Sequence, residues 1–201
     1  PKAVQNSFKR LGATLKNIRN EKKIFLFLVA FFFYIDGVYT IIDMATAYGT
    51  ALGLDSTGLL LALLVTQLVA FPFAIIFGRL SKCYDVRTLI TICIAAYFGI
   101  AVFAIFLKAQ WQFWIMAILV GMFQGGIQAL SRSYFTKIIP AEKSGEYFGL
   151  MDICGKGASF LGTTVISLIA QFTGKVNIGV GAISLFFVCG MIVFKMATAE
   201  E

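Results

Sequence analysis

The chain has 201 residues, of which 59% are hydrophobic and only 13% are charged, whereas a soluble domain carries about 25% charged residues. A water-soluble core of this size could not bury so much apolar surface, so the composition excludes a soluble domain and predicts an integral membrane protein. The formal charge of +7 could favour nucleic-acid binding, but the basic residues lie in short segments between apolar runs. The positive-inside rule explains that distribution better, and we expect no nucleic-acid partner.

The sequence lacks the residues that several kinds of enzyme and metal site require. It contains no histidine, which excludes the Ser–His dyad of a six-helix intramembrane protease and any histidine metal site. The four cysteines form no CxxC pair, and there is no GxxxxGK[ST] phosphate-binding loop. We therefore expect a protein that is not an enzyme and that holds neither a metal nor a cofactor.

Residues 1–23 form a basic segment that we expect to lie in the cytoplasm as a linker. Its apolar residues share one helical face, which is typical of a helix lying at a membrane surface; a solvated, weakly helical linker fits equally well. Those residues are Phe8, Leu11, Leu15 and Ile18. The chain begins at Pro1 without an initiator methionine, and we interpret it as a piece of a longer protein.

Six apolar runs follow, each close to the ~20 residues that cross a bilayer as a helix. They are too long and too evenly apolar for membrane strands, so an all-α bundle is predicted over residues 24–196, with a short tail at 197–201. The predicted helices cover about 24–48, 57–80, 88–107, 111–136, 146–172 and 177–195.

The basic residues predict the orientation of the bundle. Of the 17 lysines and arginines, nearly all fall in the segments that share a side with residues 1–23. Only Lys108 and Lys175 lie in the opposite segments, and Lys156 lies within a predicted helix. The positive-inside rule then places both ends of the chain in the cytoplasm. We expect the bilayer to be a bacterial cytoplasmic (inner) membrane.

Polar side chains concentrate in four of the six predicted helices. The first carries Asp36 and Asp43 with Tyr39 between them, and the second carries Gln67. Ionisable residues inside a membrane-length run are costly and usually face a bundle interior or a watery cavity. Asp36 could therefore bind a proton, a cation or a substrate amine, or it could serve helix packing alone.

The stretch from Gly121 to Gly162 carries two further polar stripes at helical spacing, one on each side of a short hinge. The first is Gln124, Gln128 and Ser131, and the second is Asp152, Lys156 and Ser159. Depth at 1.5 Å per residue places Asp36, Gln124 and Lys156 near mid-membrane, where transporters bind their substrates.

The charged pair within the second stripe allows two interpretations. Asp152 and Lys156 are spaced i, i+4 with the acid first, so they could neutralise each other without any further role. Alternatively, Lys156 pairs with Asp36 across the bundle and releases it when a substrate or a proton binds.

A cytoplasmic gate is predicted at the inner ends of the fourth and fifth helices. Arg132 facing Glu146 or Asp152 would form such a gate, although independent surface charges fit equally well. The loop between the second and third helices, GRLSKCYDVRT at residues 78–88, could contribute Gly78, Arg79, Asp85 and Arg87.

This loop resembles the cytoplasmic loop signature of the major facilitator superfamily. Five residues fit the signature: Gly78, Leu80, Ser81, Tyr84 and Arg87. Lys82, Cys83 and Asp85 depart from it, replacing the acidic, basic and second glycine positions. An ordinary basic inner loop is the alternative interpretation.

A second resemblance covers nearly the whole chain. GGIQALSRSYF, IP, GEYFGL and GKGASFLG between residues 125 and 162, with FFFYIDGVYTI at 31–41, are similar to the major-facilitator family allied to the autophagy-related vacuolar effluxers. The resemblance implies the C-terminal six helices of a twelve-helix transporter whose N-terminal six-helix half is missing. For the vacuolar relatives it implies amino-acid efflux.

These observations favour a secondary transporter that moves a small polar solute by alternating access. The residues expected to bind solute or a coupling ion are Asp36, Tyr39, Gln67, Gln124, Gln128, Asp152 and Lys156. Proton coupling through Asp36 is the preferred mechanism. A six-helix channel and a non-transporting membrane scaffold are the alternatives.

Overall fold

The computed structural model describes residues 12–13, 16–18 and 21–199, and all regular structure in these residues is helical. Six stretches are long and apolar enough to cross a membrane. The prediction of an all-α fold with six spans is therefore confirmed. The surface helix predicted within residues 1–23 falls largely outside the described residues.

The helices are bounded as follows: α1 Lys22–Ala51, α2 Ser56–Leu80, α3 Val86–Ile105, α4 Gln110–Ile138, a 3₁₀ turn Ala141–Lys143, α5 Ser144–Gly157, α6 Phe160–Thr173, α7 Val176–Ala182 and α8 Ser184–Thr198. The first four helices are one span each. The 3₁₀ turn with α5 and α6 makes the fifth span, and α7 with α8 makes the sixth.

Two aspartates outside the membrane-spanning segments start their helices. Asp55 accepts a hydrogen bond from the Gly58 amide at 2.7 Å, and Asp85 accepts one from the Arg87 amide at 3.1 Å, which satisfies amides that have no partner within the helix. The Arg87 guanidinium also lies 2.8 Å from Asp85. Desolvation raises the pKa of the Asp85 carboxyl, but the hydrogen bonds and charge of Arg87 outweigh it, so the pKa lies below its usual value.

Helix α1 is the most buried span and contacts each of the other five spans. It packs along α8, and α2 packs along α4. Small residues allow the second contact: a Cβ on Gly121 would lie 2.6 Å from the Thr66 carbonyl oxygen, and one on Gly125 would lie 2.8 Å from the Ala74 Cβ. Small-residue spacings of this kind bring membrane helices close together.

The fifth span is not the continuous helix predicted over 146–172. It breaks between α5 and α6, where Ala158 is extended and Ser159 has φ +75°, in the left-handed region. The two glycines and the serine of GKGAS weaken the helix here, but glycine content alone does not locate a break. The outcome is two half-helices of 14 residues each within one membrane crossing.

Candidate functional site

A cavity of about 350 Å³ opens between α1, α4 and α5, and most of the residues that line it are polar. Five side chains predicted from the sequence to serve the solute site or the gate contribute to it. They are Tyr39, Gln128, Arg132, Asp152 and Lys156, with Phe31, Met151 and Gly155 completing the wall.

Helical spacing explains why these side chains meet. Gln128 and Arg132 lie one turn apart on α4, and Asp152 and Lys156 lie one turn apart on α5, so each helix presents two polar groups on one face. Tyr39 enters from α1. One residue of the first polar stripe, Gln128, and two of the second, Asp152 and Lys156, therefore line the same cavity.

Within the cavity, Asp152 forms an ion pair with a residue of α4 and not with Lys156 on its own helix. The Arg132 Nη2 atom lies 2.7 Å from Asp152 Oδ1. Lys156, one turn away, is exposed and forms no ion pair with any residue the structure describes. The site thus presents two cations and one carboxylate, together with the neutral polar groups of Gln128 and Tyr39.

Asp36 does not line this cavity. Its side chain is 1% exposed, and its Oδ1 atom accepts hydrogen bonds from Thr40 Oγ1 and from the Gly162 amide, each at 3.2 Å. Its Oδ2 atom is buried without a hydrogen-bond partner among the described residues. No ion pair joins Asp36 to Lys156 in this part of the chain, so the structure does not show the pairing considered from the sequence.

The carboxylate of Asp36 lies at the N-terminus of α6. Gly162 is the third residue of that helix, and the first four amides of a helix lack partners within it. A carboxylate placed there accepts an amide hydrogen bond and complements the helix dipole. Position 162 favours glycine because a Cβ would collide with the Thr40 side chain.

Sequence reasoning misses Thr40 and Gly162 as partners of Asp36. The small residues of GKGAS followed by FLG are the available signal, but small residues in a membrane helix are equally typical of close helix packing. The direction in which Asp36 faces depends on how the helices pack, and this packing cannot be predicted from the spacing of residues in one sequence.

Two predicted site residues lie away from the cavity. Gln67 is exposed and borders a separate space of about 20 Å³ between α1, α2 and α4, enough for about one water molecule. Gln124 is half-buried, and its Oε1 atom has no hydrogen-bond partner among the described residues. The structure does not join either glutamine to the residues around Lys156.

The residues predicted for a cytoplasmic gate are only partly brought together. Arg132 contacts Asp152, one of the two partners considered, while Glu146 is half-buried near the start of α5. Gly78 and Arg79 are exposed at the end of α2, and the Asp85–Arg87 pair lies at the start of α3. A further contact that the sequence did not suggest joins Tyr147 to Glu21, 3.2 Å apart.

Comparison with known proteins identifies a family that matches this chain. A family model described as "Vacuole effluxer Atg22 like" matches residues 2–201. An MFS-type transporter of Bacillus subtilis, YxiO, described as uncharacterized, is 48% identical over 200 residues, which is 100% of this chain and 47% of the relative. Autophagy-related protein 22 of Candida glabrata is 28% identical over 211 residues, covering 99% of this chain and 39% of the relative.

The chain therefore spans about half the length, or less, of these relatives. Their names describe transport and autophagy-related proteins and not enzymes. The resemblance carried by residues 125–162 and 31–41 is confirmed, since the family match extends over the whole transmembrane bundle. The chain belongs to the vacuole effluxer Atg22-like family.

Proposed function

We propose that this chain is the C-terminal half of a secondary transporter that moves a small polar solute across the membrane by alternating access. The observation that carries the proposal is the polar cavity formed by Tyr39, Gln128, Arg132, Asp152 and Lys156. Charged and polar groups inside membrane-spanning segments are costly and mark solute or ion pathways. The missing N-terminal half would supply the other wall.

Amino acids are the solute class that the cavity chemistry supports best. Lys156 has no ion-pair partner among the described residues, so its ammonium group can bind the carboxylate of an amino acid. Asp152 offers a carboxylate that can bind the amino group. The volume of about 350 Å³ falls in the range of about 300–1,000 Å³ typical of small-molecule sites. The vacuole effluxer description of the family is consistent with export of such solutes.

Asp36 is the proposed proton site. It is 1% exposed, and its Oδ2 atom has no hydrogen-bond partner among the described residues. Burying a carboxylate without a cation is costly, and binding a proton removes that cost. A proton taken up on one side of the membrane and released on the other would then drive solute movement.

Flux measurements on the full-length protein in proteoliposomes test the proposal. We expect uptake of a radiolabelled mixture of amino acids, with saturation, and a loss of at least tenfold in Lys156→Met. A channel would give non-saturating flux, and a scaffold would give none above empty vesicles; either outcome would contradict the proposal.

The coupling step has its own test in the same vesicles. With Asp36→Asn we expect flux driven by a pH gradient to vanish while exchange of labelled for unlabelled solute continues. Asp43→Asn is the matched control, because Asp43 is on the same helix but exposed, and it should retain the response. Unchanged proton dependence in Asp36→Asn would exclude Asp36 as the proton site.

A further inference from the structure

The cavity and the buried carboxylate belong to different parts of the fifth span. Helix α5 carries Asp152, Gly155 and Lys156 to the cavity wall, whereas α6 begins beyond the break and meets Asp36. Helix α6 packs on α1 and α7, while α5 packs mainly on α1. The fifth span is also the least buried of the six, so few contacts fix where α5 lies.

If the break between α5 and α6 became helical, the α5 side of the cavity would move. Ala158 and Ser159 lie outside the helical conformation, and an α-helix turns about 100° per residue. If both residues became helical, α5 would rotate relative to α6 and shift along the span axis. Asp152 would then leave Arg132, and Lys156 would leave the cavity. The broken and continuous forms are two discrete arrangements of one element, as switching transitions require.

The contact that favours the broken form comes from α1. A continuous helix would pair the Gly162 amide with a carbonyl of the preceding turn, whereas in this structure the amide donates to Asp36. Thr40, one turn along α1, donates to the same oxygen atom. Because a Cβ at position 162 would strike Thr40, the glycine allows α6 to begin this close to α1.

On the basis of the proposed function, we infer that Asp36 is a positioning residue for the solute site: by binding the N-terminus of α6 it keeps the fifth span broken and holds Asp152 and Lys156 in the cavity wall. Asp36 acts on the site through the helix break and not by touching solute. An asparagine at position 36 keeps an acceptor oxygen for Gly162 and Thr40, whereas alanine does not. The two substitutions therefore separate positioning from proton binding.

The experiment measures the distance between α4 and α5 in the full-length protein, with native cysteines replaced. Spin labels at Ser133→Cys and Ile153→Cys, both exposed, report this distance by pulsed electron paramagnetic resonance in lipid without solute. We expect the parent, Asp36→Asn and Asp43→Ala to share one distance distribution. Asp36→Ala should shift its centre by several ångströms or add a second population.

A distribution in Asp36→Ala identical to that of the parent would overturn the inference. If that variant does not fold, Gly162→Ala takes its place, since its Cβ pushes the start of α6 away from Thr40, and the same shift is expected. The distance is read without transport, so a failure of the proposed function appears in the flux assay and a failure of this inference appears in the distance. An equal shift of the distance distribution in Asp36→Asn and Asp36→Ala would also contradict the inference. The acceptor oxygen that asparagine keeps at position 36 would then have no role in positioning α6.

Discussion

Asp36 and Asp152 show how surroundings give two carboxylates different chemistry. Asp36 is buried and accepts hydrogen bonds from a hydroxyl and a backbone amide, while Asp152 is half-exposed in the cavity with Arg132 beside it and Lys156 one turn away. Solvent reduces the energy of an ion pair of the second kind. We therefore expect the Arg132–Asp152 pair to matter more for solute binding than for stability.

Replacing Arg132 by glutamine tests this expectation. Because the two side chains are 58% and 45% exposed, the pair should contribute no more than about 1 kcal/mol to the free energy of unfolding, and the melting temperature should change little. Lys156 can take over as partner of Asp152 at the i, i+4 spacing, so solute flux should fall only in part. Thermal unfolding and flux are measured on the same full-length preparation.

The double variant Arg132→Gln, Lys156→Gln is the companion measurement. It leaves Asp152 without either cation of the cavity, so its flux should fall by more than the product of the two single effects. Independent, multiplicative losses would show that the two cations do not share Asp152.

At the scale of elements, the contact between α2 and α4 depends on glycines that have no room for a side chain. At Gly121 a Cβ would lie 2.6 Å from the backbone oxygen of Thr66, which cannot move without moving α2. Thr66 itself donates hydrogen bonds to the Ala62 and Ala117 carbonyls. The two helices are therefore closely packed, in contrast to α5, which makes few contacts.

Gly121→Ala should lower the free energy of unfolding by about 1–3 kcal/mol, the usual cost of overpacking. Gly99 is the matched control: it lies within α3, and a Cβ added there would meet nothing within 4 Å, so Gly99→Ala should be neutral or stabilising by up to about 1 kcal/mol. Chemical or thermal unfolding in detergent measures both. Equal effects of the two substitutions would argue against close packing at Gly121.

Sequence patterns suffice for the six spans and for the polar residues that share a helix face, for a physical reason. Membrane spans need long apolar runs, and helical spacing fixes which residues share a face, so the sequence alone groups Gln124 with Gln128 and Asp152 with Lys156. It does not fix the partner across the helices, because Arg132 has two acidic candidates. The direction of Asp36 and the left-handed Ser159 depend on how α1 and α6 pack, which no local pattern records.

At the scale of the whole molecule, the bundle is strongly asymmetric in its basic residues. Lys82 lies in the exposed loop after α2, and Lys108 lies in the opposite loop after α3. Most of the 17 basic residues lie in segments on the same side as Lys82, and the positive-inside rule predicts that this side is cytoplasmic. The two ends of this chain would then share that side.

Cysteines introduced at these two positions, after the native cysteines such as the exposed Cys83 have been replaced, test the orientation in intact cells expressing the full-length protein. A membrane-impermeant maleimide should label Lys108→Cys and leave Lys82→Cys unlabelled until the membrane is permeabilised. Because both side chains are exposed, access to the thiol should depend on the side of the membrane. The reverse labelling pattern would invert the topology.

The broken fifth span also has a consequence for biogenesis. Its mean hydropathy, 1.5, is the lowest of the six spans, and it carries Asp152 and Lys156 well inside its length. Charged residues near the centre of a helix each oppose membrane insertion by about 2.5–3.5 kcal/mol. The segment should therefore integrate poorly when it leaves the ribosome alone and should need α4, with Arg132 already in place, to enter the bilayer as a pair of helices.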